Sequence, residues 1–136
     1  MLEIVRRFDA TPETVFDAWL EKEQWQAWLG PQGVRCEITQ FEPRVGGPYR
    51  LIMNLPDGRQ LAVHGEFKSL DRPRRFSLTW GSEGDTLVSV SLRAVGGGTE
   101  LTLRHEGLAR GDHESFAGGW NGALDKLARH VKGETP

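Results

Sequence analysis

The order of apolar patterns along this chain predicts an α+β fold in which a curved antiparallel sheet is wrapped around a long C-terminal helix. Three observations carry that prediction. Six apolar runs between Val34 and Glu106 are separated by Gly, Pro and Asp clusters, the punctuation of an antiparallel meander. The segment from His113 to Lys132 repeats its large apolar residues at steps of three and four, which is the spacing of one helix face. Between an opening strand and the meander lie two short stretches rich in helix formers and bounded by helix signals.

In chain order, Leu2, Ile4, Arg6 and Phe8 alternate with Glu3, Val5 and Arg7 in an imperfect period of two, predicting a strand that ends near Asp9. Thr11 before Pro12 marks a helix start. The hydroxyl can cap free backbone N–H groups, and Pro tolerates the first helical position. Val15, Phe16 and Trp19 give that helix its apolar face. A second helix over Lys22 to Trp28 stops at Gly30 and Pro31, which break helices for different backbone reasons. The predicted meander strands are Val34 to Phe41, Tyr49 to Leu55, Gln60 to Leu70, Arg75 to Trp80, Thr86 to Val95 and Thr99 to Glu106. Their hairpin connectors include Gly46-Gly47-Pro48, Pro56-Asp57-Gly58, Pro73, the Gly81 to Asp85 loop and Gly96-Gly97-Gly98.

Alternation sorts the sheet into two faces. Cys36, Ile38, Tyr49, Leu51, Met53, Leu61, Val63, Phe67, Phe76, Leu78 and Trp80 fall on the inner one, followed by Val88, Val90, Leu92, Leu101, Leu103 and His105. Arg75, Ser77, Ser89, Ser91, Arg93, Thr102 and Arg104 fall on the other, so one face is wet. On the final helix, Asp112 is the expected N-cap, and Phe116, Trp120, Leu124, Leu127 and Val131 form the stripe. Gly119 and Ala123 flank it, where small side chains let the helix lie close. Gly118 and Gly122 project to the polar side, where each costs up to about 1 kcal/mol relative to Ala.

A chain of 136 residues is expected to be one domain, over residues 1–132, with a tail at 133–136. Five Trp and six Phe within a 38% hydrophobic composition supply a core without metal or disulfide. Seventeen basic against nineteen acidic residues give a formal charge of −2, which argues against nucleic acid as a partner. Cys36 is the single cysteine, so an intramolecular disulfide and a C-x-x-C site are both excluded. Charge interrupts the N-terminus before any stretch long enough for a signal peptide or membrane span, and the expected location is cytoplasmic.

The run Arg7-Phe8-Asp9-Ala10 with Pro12, Val15 and Phe16, followed by Trp28-Leu29-Gly30-Pro31, resembles the start of the activator of heat-shock protein 90 ATPase family. Matches continue in order: Glu42-Pro43-Arg44-Val45-Gly46-Gly47, Pro56-Asp57-Gly58, Gly65, Gly97 through Leu103, His105, Gly119-Trp120, Leu124 and Leu127. Leu29 stands where the family often has a second Trp, and Glu42 where Asp is common. That family sits in the START-like, helix-grip (SRPBCC) superfamily. The resemblance therefore implies a helix-grip fold with a hydrophobic cavity between the sheet and the terminal helix. It also implies chaperone interaction as an alternative role, although the chaperone-binding domain of the namesake co-chaperone is expected to have no counterpart here.

The chemistry in the chain is sparse. His64, His105, His113 and His130 show no i, i+4 pairing, and His105-Glu106 is not followed by a second His at Ala109, so no metal site is expected. Ser82 and Gly84 lack the preceding Gly of a nucleophile elbow, because Trp80 occupies that position. No glycine-rich phosphate cradle occurs and no cofactor is expected. Glu42 and Arg44 are read as setting the turn before Gly46, and Arg72, Arg74 and Arg75 as a solvated cluster around Pro73. His105 on the apolar side could serve as an acid or base or bond a ligand.

The expected function is binding of a lipophilic small molecule, with no catalytic set. The alternatives are stimulation of a chaperone ATPase, or a cavity enzyme using His105. The candidate ligand-pocket residues are Trp28, Cys36, Ile38, Leu51, Met53, Val63, Trp80, Val90, His105, Phe116, Trp120 and Leu124. Oligomeric state leaves no mark in the sequence.

Overall fold

The computed structural model describes residues 1–81 and 86–133. Ser82 through Asp85 of the expected loop, and residues 134–136 of the expected tail, lie outside the described residues. The chain runs β1 (Leu2–Phe8), α1 (Pro12–Leu20), α2 (Lys22–Trp28), β2 (Arg35–Phe41), β3 (Pro48–Asn54), β4 (Gln60–Asp71), β5 (Arg75–Trp80), β6 (Thr86–Val95), β7 (Gly98–Glu106) and α3 (His113–Val131). Each predicted element is present, with ends displaced by at most one residue.

The sheet has the order β1-β7-β6-β5-β4-β3-β2 and is antiparallel throughout. β2 to β7 form a meander in sequence order, each strand pairing with the next, whereas β1 crosses to pair with β7 in the register Leu2↔His105 to Phe8↔Thr99. β4 serves two partners: Gln60 to Glu66 pair with β3, and Phe67 to Asp71 pair with β5. The bend between them requires Gly65, since a Cβ there would lie 2.3 Å from the Thr79 carbonyl oxygen. That oxygen instead accepts a hydrogen bond from the Tyr49 hydroxyl.

Helix α1 starts as the sequence predicts, with Thr11 Oγ1 accepting from Thr14 N (3.2 Å) and Pro12 in the first turn. It buries Val15, Phe16, Ala18 and Trp19. The rings of Phe16 and Trp19 meet Phe76 of β5 at 5.5 and 5.2 Å. Trp25 of α2 meets Tyr49 edge-on at 5.3 Å, and Trp28 meets Trp19 at 4.7 Å. Burying each such side chain contributes on the order of 1.5–3 kcal/mol.

One capping expectation is corrected. Asp112 makes no side-chain cap, because Arg110–Asp112 form a 3₁₀ turn leading into α3. Asp112 therefore already has helical backbone angles, φ −97° and ψ −10°, and a capping residue needs an extended backbone to reach the first free N–H groups. The imperfect sidedness of β1 also has a cause. Arg6 lies on the inward register and reaches past the core to Asp125 of α3 (2.7 Å).

Candidate functional site

Most of the space between α3 and the sheet is filled by aromatic rings. Trp19 packs on Trp120 (5.9 Å between ring centroids), Trp25 on Trp80 (6.4 Å) and Trp80 on Trp120 (5.1 Å). Beyond this last pair the packing stops, leaving a pocket of about 230 Å³. Met53 of β3, Leu61 and Val63 of β4 and Trp80 of β5 form its sheet side. Ser115, Phe116, Gly119, Trp120 and Ala123 of α3 face them, and the segment Leu29 to Pro31 closes one flank. Leu61 is 50% exposed, so the pocket opens to solvent past its side chain. Ser115 supplies the one aliphatic hydroxyl among the lining residues.

Of the residues expected to touch a ligand, Met53, Val63, Trp80, Phe116 and Trp120 line this pocket. Trp28, Ile38, Leu51, Val90, His105 and Leu124 are buried in the packed interior and do not line it. Cys36 lines a second, polar hollow on the far side of Leu29, together with Gln26, Gln32, Arg35 and Lys126. Burial pushes its thiol up to about 11, against a smaller opposing pull from Lys126.

His105 is fully buried and both its nitrogens are engaged. Trp120 Nε1–H can only donate, so His105 Nδ1, 3.0 Å away, must accept. The proton therefore sits on Nε2, which donates to Thr86 Oγ1 at 2.8 Å. That hydroxyl in turn donates to the Trp80 carbonyl. The chain of donors ties α3, β7, β6 and β5 together and fixes Trp120 in the pocket floor. Burial, with a smaller contribution from His113, lowers the His105 pKa to about 4, so the ring is neutral at pH 7. The edge-to-face contact with Phe116 at 5.0 Å completes its cage. This is the geometry of a brace between pocket-wall residues.

Trp28 resembles Trp120 in having an acceptor for its indole N–H, Ala18 O at 2.9 Å, whereas Trp19 and Trp25 bury their N–H groups with no acceptor among the described residues. Four of the charged candidates, Glu42, Arg44, Arg72 and Arg75, are held in ion pairs. Arg44 meets Glu42 at 3.1 Å, Arg72 grips Asp17 of α1 with two bonds of 2.9 Å, and Arg75 faces Asp71 at 3.6 Å. Among the described residues no cluster of three His, Cys, Asp or Glu side chains could hold a metal ion, and no helix is long and apolar enough to cross a membrane.

A seven-stranded antiparallel sheet curved around a terminal helix, with two short helices after the first strand, is the helix-grip fold. The chain belongs to the Activator of Hsp90 ATPase homolog 1-like protein family, which it matches over residues 9–132. A crystal structure of a protein from Chromobacterium violaceum is similar at 28% identity and TM-score 0.91, covering 96% of each chain. An AHSA1 protein of Silicibacter pomeroyi is 25% identical with a TM-score of 0.78, also over 96% of each chain. CalU16 of Micromonospora echinospora is 25% identical with a TM-score of 0.72, over 95% of this chain and 74% of that one. No curated protein matches the chain.

Proposed function

We propose that the protein binds a lipophilic small molecule in the pocket between the β3–β4 hairpin and the first turns of α3. The observation that carries this reading is an apolar space bounded by the side chains of Met53, Leu61, Val63, Trp80, Phe116 and Trp120. A space of about 230 Å³ exceeds the roughly 150 Å³ of a dry cavity that admits benzene and falls short of the roughly 300 Å³ at the lower end of drug-sized sites. It suits a small apolar body, or one end of a longer molecule that leaves past Leu61. The bracing role of His105 supports binding over acid–base chemistry, because neither ring nitrogen is free to meet a substrate. The chaperone alternative has only the family's description behind it.

The test is a thermal-shift and tryptophan-quenching titration with 1-aminoanthracene, on the natural protein and on Gly119→Leu. A binder of the native state raises the melting temperature with concentration. The leucine grows from a pocket-lining position on α3, so it should lower affinity at least tenfold while leaving the helix as stable or more so. A chain that neither shifts nor quenches with any lipophile in a panel does not bind in this way. A chaperone ATPase stimulated by the protein, with the lipophile panel silent, would favour the alternative.

A further inference from the structure

The segment Leu29 to Val34 between α2 and β2 separates the apolar pocket from the polar hollow, and it is held in an unusual way. Lys126 of α3 is only 7% exposed. Its ammonium donates to three backbone carbonyls of this one segment: Leu29 O at 3.3 Å, Pro31 O at 3.3 Å and Val34 O at 3.1 Å. All three donors of the ammonium are thereby used. Among the described residues no carboxylate pairs with it. Around it the helix is shaped to receive the segment. Gly122 lies where a Cβ would come within 3.1 Å of the Gln32 backbone nitrogen, whereas a Cβ on Gly119 would make only ordinary contact with Pro31 Cγ, at 3.5 Å. Gln32 adds exposed bonds to Gly122 O and from Arg129, each of 3.3 Å. Within the segment itself one backbone bond is made, from Val34 N to Pro31 O at 3.0 Å.

We propose that Lys126 is a positioning residue that latches the Leu29 to Val34 segment onto α3 and so sets the aperture of the apolar pocket. The inference rests on the pocket reading above for its purpose, and on the three carbonyl bonds for its mechanism. Leu29, Gly30 and Pro31 form the flank of the pocket, and they owe their position to a side chain that itself never enters it. Release of the latch lifts that flank without dismantling the sheet.

Cys36 gives a direct reading of the latch. It is the only cysteine, it is buried, and its Sγ would lie 3.1 Å from a Cβ on Gly30. Its labelling by iodoacetamide under native conditions therefore reports lifting of the segment. Lys126 draws the thiol pKa downward, so loss of the cation by itself slows labelling, and only greater access can speed it. The experiment compares the natural protein with Lys126→Met and Lys126→Arg. The methionine variant should label Cys36 at least tenfold faster and take up and release 1-aminoanthracene faster, with arginine restoring both. Amide exchange at Leu101 and Leu103 of β7 measures opening of the whole molecule and should change much less.

Equal acceleration at Cys36 and at β7 would show that Lys126 merely stabilises the fold, and labelling at the natural rate in a folded Lys126→Met protein would show that it holds nothing. Either result overturns the proposal. Should the methionine variant not fold, Lys126→Gln carries the same expectation and the same refutation. If 1-aminoanthracene does not bind the natural protein, the labelling arm still decides the latch, and the reading that fails is the pocket's.

Discussion

Along most of α3 the sheet is shut against it. Val88, Val90, Leu101 and Leu103 of the central strands and Leu124 and Leu127 of the helix are each no more than 1% exposed and belong to one buried cluster. Beside the first turns of the same helix, Leu61 is half exposed, Met53 and Phe116 are partly buried, and a pocket remains. Both regions are lined by large apolar side chains on the inner face of one sheet, so composition does not separate them. Geometry does. A twisted sheet meets a straight helix along one stripe, and the β3–β4 end is where the two diverge, with the rings of Trp80 and Trp120 marking the border.

The largest test of this contrast is in the shut region. Leu103→Ala should cost about 2–5 kcal/mol in urea denaturation, because the surrounding core cannot close over the lost methyls. Binding of 1-aminoanthracene by the molecules that remain folded should be unchanged. A cost below about 1 kcal/mol would mean that the interior is looser than its burial implies.

The border itself has a pH signature. The folded-state pKa of His105, about 4, lies below the ordinary 6.5. Between those values the unfolded chain binds the proton and the folded one does not. Stability is therefore fully present above pH 6.5 and falls as pH drops toward 4. For a ring with no exposed surface, the loss is on the order of 2–3 kcal/mol. It is read as the difference in pH dependence between the natural protein and His105→Gln, which lacks that titration. Parallel curves would place the imidazole in a wetter setting than its two hydrogen bonds require.

The smallest effect on stability belongs to the open region. Leu61→Ala should change unfolding free energy by no more than about 1 kcal/mol, since half the side chain already meets water. It should nonetheless weaken 1-aminoanthracene binding severalfold. Unaltered affinity would move the entrance away from Leu61.

Element by element, the fold was readable because each boundary has a local chemical cause: Thr11 before Pro12, Gly30-Pro31, Pro56-Asp57-Gly58 and the three glycines from Gly96. The pairing of β1 with β7 has no such local cause and emerged only in the assembled sheet. The candidate site was half readable. Alternation identifies the inner face, and Met53, Val63 and Trp80 follow from it. It does not say where along a strand the helix stops covering that face, so Ile38, Leu51, Val90 and His105 looked equivalent to them. The Leu29 to Pro31 flank sits in a loop, where no periodicity exists to interpret. Gly122 and Lys126 both project toward what an isolated helix would present to solvent. Their roles depend on a segment roughly ninety residues earlier in the chain. Gly118 has nothing within 4 Å of its Cβ position, and the structure does not explain it.

The five tryptophans offer the most direct test of the difference between the two regions, because each indole N–H gives its own nitrogen–proton resonance. On titration with 1-aminoanthracene, the signals of Trp80 and Trp120, which line the pocket, should move, while those of Trp19, Trp25 and Trp28 should stay nearly fixed. Movement confined to Trp19, Trp25 and Trp28, or no movement at any indole while the dye binds, would contradict the account.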